Sequence, residues 1–379
     1  MISGLPTMKI LIVKLSAIGD VLHTLPALAL LRQCLPESSL NWVVEEKAAG
    51  ILVGHPQLDK VIVSGRKRWM HELSRPSRWP AVFREAASLI RELRSERYDV
   101  VIDFQGLLKS AILVLFSRGA RRIGYGKTRE LSYLALTHRI DPPPAEAHAL
   151  DKNIGLARAV LNLPELGGSG SIVQGKKAAG RHHYAASYGL AAPSEQEQMR
   201  VDLLLQSSRI DPDRPLILVN APAGWETKRW DEGKMAALAD RLVTGYDAAL
   251  IYTGTAGDAA YIDGIIARMA CPAANAAGRT TLRELACLIN KARLFVTTDS
   301  GPMHLAAALG TPVVALFGPT APWRTGPYTD RARVVRTQAS CSPCYKRKCE
   351  EMICMNGIGV DEVMEAAAVF MGAEGRQGT

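Results

Sequence analysis

Short runs of branched aliphatic residues alternate with helix-period segments along the chain, and this alternation restricts the fold more than any other feature. Lys9 to Leu15 (KILIVKL), Asn41 to Glu45, Lys60 to Ser64, Tyr98 to Phe104 and Arg121 to Tyr125 read as strands. Strands separated by helical segments predict a parallel sheet joined by crossover helices. From Leu166 to about Pro215 the pattern degrades into GGSGS, a basic GKKAAGRHH stretch and turn residues. It then restarts, with Leu216 to Ala221, Ala248 to Thr253, Leu294 to Asp299 and Pro312 to Phe317 as buried strands. A chain of 379 residues exceeds one ordinary core. The expectation is two doubly wound α/β domains, 1–200 and 201–379, divided toward the end of the degraded stretch, each with a ligand at its strand C-termini. Val360 to Met371 reads as a terminal helix.

With 47% hydrophobic and 22% charged residues the composition is that of a soluble globular protein. Its longest apolar runs, such as Ala111 to Phe116, fall short of the ~20 residues of a membrane span. Lys9, Lys14 and Asp20 interrupt the place of a signal peptide's apolar core, so a cytoplasmic location is expected. The net charge of +9 implies an anionic partner: nucleic acid, an acidic lipid surface or a phosphorylated substrate. Between Arg66 and Arg97 nine Lys and Arg face four Glu. The part after Pro80 reads as a solvated helix face. Arg66 to Trp79, with Arg66, Lys67, Arg68, Arg75 and Arg78, reads as a basic, Trp-bearing loop suited to an anionic glycolipid at a membrane surface.

Two junctions carry chemistry. After the first strand the chain reads SAIGD and lacks the G-x-G-x-x-G of nicotinamide enzymes. Asp20 there fits a helix N-cap accepting the amides of Leu22 or His23, and Pro26 should kink the helix that follows. In TTDSGPMHLAAALGTPVVALFGPT, Asp299, Ser300 and Gly301 stand at a strand end, and Pro302 opens a helix. Free amides at that terminus suit a diphosphate. Lys228, in NAPAGWETKRW after another strand, adds a point charge.

Taken in order, ILIVKLSAIGDVLHTLPAL, WVVEE, VIDFQGLLKSA, TKRW and TTDSGPMHLAAALGTPVVALFGPT resemble glycosyltransferase family 9, the heptosyltransferases, closest to the heptosyltransferase I branch. The resemblance runs from about Met8 to Val363. It implies a GT-B fold, two Rossmann-like domains facing a cleft, with the acceptor held mainly by the first and ADP-heptose mainly by the second. It implies transfer of heptose with inversion to the lipopolysaccharide inner core, to the Kdo of a lipid A-Kdo glycolipid, by a cytoplasmic protein peripherally bound to the anionic inner membrane. By matching position Asp20 is the general base, a role compatible with capping. Lys228 and the Ser300–Gly301 helix terminus stabilise the departing ADP without a metal cofactor. Asp299 holds the donor sugar or orients its loop. His304 either reaches the phosphates or packs within its helix. Lys109 either meets an acidic group of the acceptor or is a solvated lysine. Asp258 either accepts from the ribose diol or is a surface residue. Where the heptosyltransferase I pattern has paired threonines ahead of Lys228, this chain has Ala223 and Gly224. A heptosyltransferase II or III paralogue with another acceptor or donor is the nearest alternative.

Cys341, Cys344, Cys349 and Cys354 form C-x2-C-x4-C-x4-C, whereas Cys34, Cys271 and Cys287 are isolated. Such spacing fits a closed structural zinc site, less readily an iron-sulfur cluster, with free or redox-paired thiols as the other reading. Similar clusters occur in part of the resembled family. Together with the basic charge they also allow a zinc-containing nucleic-acid-binding protein, a class that leaves the two nucleotide-type halves unexplained. No nucleic-acid partner is expected.

Overall fold

The computed structural model describes residues 7–163 and 188–372, which form two compact units divided at Ala191/Ala192. GGSGS and the basic GKKAAGRHH stretch lie outside the described residues.

The first unit is built on six strands: β1 (Lys9–Val13), β2 (Ser39–Glu45), β3 (Lys60–Ser64), β4 (Val100–Asp103), β5 (Arg121–Tyr125) and β6 (His138–Ile140). All pair in parallel in the order β3-β2-β1-β4-β5-β6, with Ile10 opposite Leu40 on one side and Val100 on the other. Among the described residues these helices accompany them: α1 (Ile18–Leu22), α2 (Leu25–Cys34), α3 (Glu46–Leu52), α4 (Arg66–Glu72), α5 (Trp79–Leu93) and α6 (Leu108–Phe116) between strands, and α7 (Ala149–Leu161) after β6. Ile10, Leu11, Ile12 and Val13 are all buried, as a central strand covered on both faces requires. On one face α5 and α6 deliver Leu89, Leu93, Ala111 and Val114 to a core with Leu11, Val13 and Val101.

The second unit repeats the plan. Strands β7 (Leu216–Asn220), β8 (Ala249–Tyr252), β9 (Ala274–Asn275), β10 (Leu294–Thr298), β11 (Val313–Leu316) and β12 (Ala332–Val335) form a parallel sheet in the order β12-β11-β10-β7-β8-β9. Its helices are α8 (Glu195–Ser207), α9 (Glu232–Tyr246), α10 (Ala259–Ile266), α11 (Leu282–Lys291), α12 (Gly301–Leu309), α13 (Pro322–Thr325), α14 (Ile353–Asn356) and α15 (Val360–Met371). Val363 and Ala367 of α15 enter the core beside Leu238 and Leu242 of α9 and Val314 of β11. Renumbered from its own first strand, the order in either unit is 3-2-1-4-5-6. In such sheets the connections diverge at one point, and ligands settle in the crevice outside the strand ends there.

Two local expectations are corrected. Arg66 to Trp79 is not a loop: Arg66–Glu72 is helical and a 3-10 turn, Pro76–Arg78, leads into α5. Pro26 does not kink a continuous helix either. The chain breaks at His23 and Thr24, and Pro26 occupies the first turn of a new helix, where its missing N–H costs nothing. The short strands β6, β9 and β12 lie toward the sheet edges and interrupt no long apolar run.

Candidate active site

In the first unit the reversal point lies between β1 and β4. Lys14, just past β1, is buried and donates to the Phe104 carbonyl at 2.8 Å. Gln105 closes the gap from the other side, its Oε1 accepting the amides of Leu15 (3.0 Å) and Ser16 (3.1 Å). Asp103 shapes the second loop by accepting from the amides of Gln105 and Gly106 and from the Ser110 hydroxyl. Burial drives its carboxyl pKa up, against those hydrogen bonds and the charge of Lys14.

Asp20 stands in the α1 turn after β1, half-buried. It is not the N-cap. Ala17 holds that position and Asp20 is the third helical residue, its Oδ2 accepting the Ala17 amide at 2.8 Å. The carboxylate therefore points back at the loop rather than forward at Leu22 or His23. One oxygen is fixed, and the other accepts no hydrogen bond among the described residues.

Beside this loop sits a cluster that sequence reading passed over. Glu45, the last residue of β2, is 2% exposed, and three cations converge on it: Arg66 (2.7 Å), Lys109 (3.3 Å) and Lys67 (3.4 Å). Burial pushes its carboxyl up, but the Arg66 hydrogen bond and the three cations outweigh this and hold the pKa below the ordinary value. Lys109 also donates to the Ser16 hydroxyl at 2.5 Å. Burial depresses its ammonium pKa, with Glu45 opposing. Three of the basic residues expected to hold an acceptor thus meet at one carboxylate, leaving an excess of positive charge. The others spread out: Arg68 binds Glu85 (2.6 Å) and Glu46 (3.1 Å), Arg78 approaches Glu72 at 3.5 Å, and Arg75 is exposed. The acidic pair in WVVEE was the available signal for Glu45.

In the second unit the reversal point lies between β7 and β10, and Asn220 spans it. Its Nδ2 donates to the Pro222 carbonyl (3.0 Å) and to the Ser300 hydroxyl (3.1 Å). Ser300 is the N-cap of α12 but gives no side-chain cap, and Pro302 carries no N–H, so the amides of Gly301 and Met303 are the first-turn donors left without a side-chain cap. Asp299 is buried and accepts from Lys228 Nζ and from the Thr320 hydroxyl, each at 2.6 Å. Lys228 also lies 4.4 Å from the Trp225 ring centre, which Arg347 approaches at 4.9 Å. The Lys228–Asp299 pair is locally neutral, so the unbalanced positive charge comes from Arg347 and the helix terminus. Thr320 and Trp225 were not foreseen, since both act through contacts distant in sequence. His304 is buried one turn into α12. Asp258 lies in a 3-10 turn after β8, where one oxygen accepts from the Thr255 amide (2.8 Å) and hydroxyl (2.6 Å).

The four-cysteine segment folds against these loops. The Cys344 and Tyr345 amides donate to Pro319 O, and Thr227 donates to the Lys346 carbonyl at 2.8 Å. Cys341 and Cys349 are exposed, whereas Cys354 is buried in the core. Burial raises the Cys354 thiol pKa, reinforced by nearby Cys341 and Cys344. Among the described residues no three His, Cys, Asp or Glu side chains converge as a metal-ligand set.

Fold and sites together define a two-unit α/β protein with a helix N-terminus, basic side chains and carboxylates near its strand ends, the construction of GT-B transferases. The profile of glycosyltransferase family 9 (heptosyltransferase) matches residues 86–354, and the chain belongs to this family. It is therefore a glycosyltransferase, and the nucleic-acid reading lapses. Lipopolysaccharide heptosyltransferase 1 of Pseudomonas aeruginosa is 32% identical over 349 residues, covering 90% of this chain and 87% of the relative. The E. coli heptosyltransferase WaaC, solved with ADP, is 26% identical with a TM-score of 0.65, covering 86% of this chain and 92% of that one. It has also been solved with ADP-2-deoxy-2-fluoro heptose. A family 9 glycosyltransferase from Veillonella parvula, at 23% identity, shares the fold with a TM-score of 0.76 over 97% of this chain and 98% of its own.

Proposed function

We propose that the protein transfers L-glycero-D-manno-heptose from ADP-heptose to the Kdo of Kdo2-lipid A in lipopolysaccharide core assembly, at the inner face of the membrane. The relatives' names and the ADP complexes support the donor and the pathway. The observation that carries the mechanism is the half-tethered Asp20 carboxylate at the end of β1. In this reading the acceptor hydroxyl attacks the anomeric carbon from the face opposite ADP, its proton passes to the unengaged oxygen of Asp20, and the carbon–oxygen bond to the diphosphate breaks with inversion. The α12 amides and Lys228 stabilise the charge that collects on ADP, so no metal ion takes part. Asp299 and Thr320 orient Lys228, and Asp258 lies on the ribose side. Arg66, Lys67 and Lys109 meet acidic groups of the acceptor, with Arg68, Arg75 and Arg78 further out.

Asp20→Asn is expected to lower turnover by about 10²- to 10⁴-fold with ADP binding unchanged, as loss of a general base requires. Turnover near that of the wild type would leave Asp20 a helix-turn residue only. Mass measurement of Kdo2-lipid A and of its mono-heptosylated product after incubation with ADP-heptose identifies the acceptor. Heptose gained only by the second substrate would assign the chain to the heptosyltransferase II branch.

A further inference from the structure

A helix laid on a sheet should turn polar residues outward. α6 (LKSAILVLF) does not. Ala111 and Val114 enter the core, while Leu108, Ile112 and Leu115 are 56%, 46% and 54% exposed, and Phe116 is exposed beside them. These four positions fall on one side of the helix. The 3-10 segment Arg129–Ala135 packs along α6 and adds Leu131 and Leu134, at 60% and 65%. α5, α6 and this segment all send residues into one core cluster, so they lie side by side over one face of the first sheet. Phe83 is exposed on α5. Single exposed leucines are ordinary, but four exposed apolar residues on one side of a helix, with two more on the segment packed along it, mark an interaction surface. At nine residues α6 is far too short to span a bilayer.

The charges around the patch select its occupant. Arg91 on α5, Arg94 at its C-cap, Arg118 just past α6 and Lys127 just before the 3-10 segment are exposed, and Arg94 lies 5.4 Å from the Phe116 ring while donating to the Phe116 carbonyl. Of the neighbouring acids, Glu92 pairs with Lys60 at 3.2 Å, and Glu130 is tied to the start of α6, where it accepts the Leu108 amide at 3.0 Å, so the bases outnumber the unpaired acids around the patch. An apolar surface with a cationic rim matches a bilayer bearing anionic headgroups. A self-complementary protein interface would set acids against these bases.

We propose that the outer layer formed by α5, α6 and the Arg129–Ala135 segment is the surface by which the protein docks on an anionic lipid bilayer. This deepens, and rests on, the reading of a lipid-borne acceptor. Leu108 on this surface adjoins Lys109, which bonds Ser16 in the Asp20 loop. Docking by this layer therefore brings the bilayer to the side of the unit where the base lies.

The test is sedimentation of the full chain with phosphatidylcholine vesicles and with vesicles containing phosphatidylglycerol. Wild type should partition onto the anionic vesicles, less so at high salt. Ile112→Glu/Leu115→Glu should lower this partition at least about tenfold, because it places two charges on the inserting face. Melting, and activity on an acyl-free acceptor sugar, should not change. Arg94→Gln/Arg118→Gln should lower partition about fivefold per charge. Equal partition of wild type and Ile112→Glu/Leu115→Glu would overturn the proposal. So would a dimer that dissolves in this variant while vesicle binding persists, which would assign the face to a second copy. Vesicle binding that follows these variants in a protein inactive on every Kdo acceptor would uphold the surface and sink the acceptor reading.

Discussion

Replacing Glu45 by Gln keeps the size of the side chain and an oxygen for Arg66, but removes the charge on which Arg66, Lys67 and Lys109 converge. Breaking a fully buried ion pair costs about 3–5 kcal/mol. Here the side chains of Arg66 and Lys67 are 35% and 51% exposed and can recover hydration, so their share is strongly screened. Lys109, with 18% of its side chain exposed, cannot. A net loss of ~2 kcal/mol is expected at pH 7. For a unit of this size that corresponds to a fall of about 4–8 °C in its melting temperature. The pH dependence follows from the direction of the Glu45 shift. Its folded pKa lies below the ordinary 4.5, so its stabilisation is complete above 4.5 and fades as pH falls through the folded value. Thermal melting monitored by circular dichroism from pH 7 down to pH 3 should show the wild type and Glu45→Gln converging below about pH 4.5. Equal melting at pH 7, or a gap that stays constant through the acid range, would refute the hub role.

Further outcomes concern the second unit. Lys228→Ala should weaken ADP binding about 10- to 100-fold by calorimetry and lower melting, since Asp299 keeps a buried charge without its cation. Lys228→Ala/Asp299→Asn should restore melting but not affinity, and recovery of both would remove Lys228 from the donor site. At Gly278, φ is +71° and an added Cβ would lie 2.7 Å from Cα and Cβ of Ala256. Gly278→Ala should therefore cost ~1–3 kcal/mol and disturb the turn carrying Asp258, lowering both melting and ADP affinity; an unchanged melt would contradict this. Cys354→Ser, at a core position, should destabilise measurably, whereas Cys349→Ser at the surface should stay within ~0.5 kcal/mol. Stoichiometric zinc in the purified protein, lost together with stability in Cys349→Ser, would instead assign the four cysteines to a structural metal site.

The central strands were legible because burial on both faces demands unbroken apolar runs, and β3 and β5 have the expected bounds. So does the terminal helix. The short strands β6, β9 and β12 were not legible, since two to four residues at or near an edge need no such run. Arg66–Glu72 was mistaken for a loop because its run of charge lacks an apolar stripe. The partners that neutralise it, Glu45, Glu46 and Glu85, come from other elements. Asp20 was located but assigned the wrong position in its turn, since nothing in SAIGD announces alanine as the N-cap. Around the start of α12, the positions of Asp299, Ser300, Gly301 and Lys228 were legible because they follow strand ends. Thr320 and Trp225 complete the arrangement through folding alone.

At the reversal point of each sheet a single amide side chain, Gln105 or Asn220, acts as a crossbar between loops leaving neighbouring strands. Without it, the two chains diverge and the notch between them can breathe, its amides wandering among water partners. With it, the width of the notch is set when the unit folds. The entropy of aligning the strand ends is then lost in the folding step, and an arriving ligand meets groups already at their working separation instead of having to gather them.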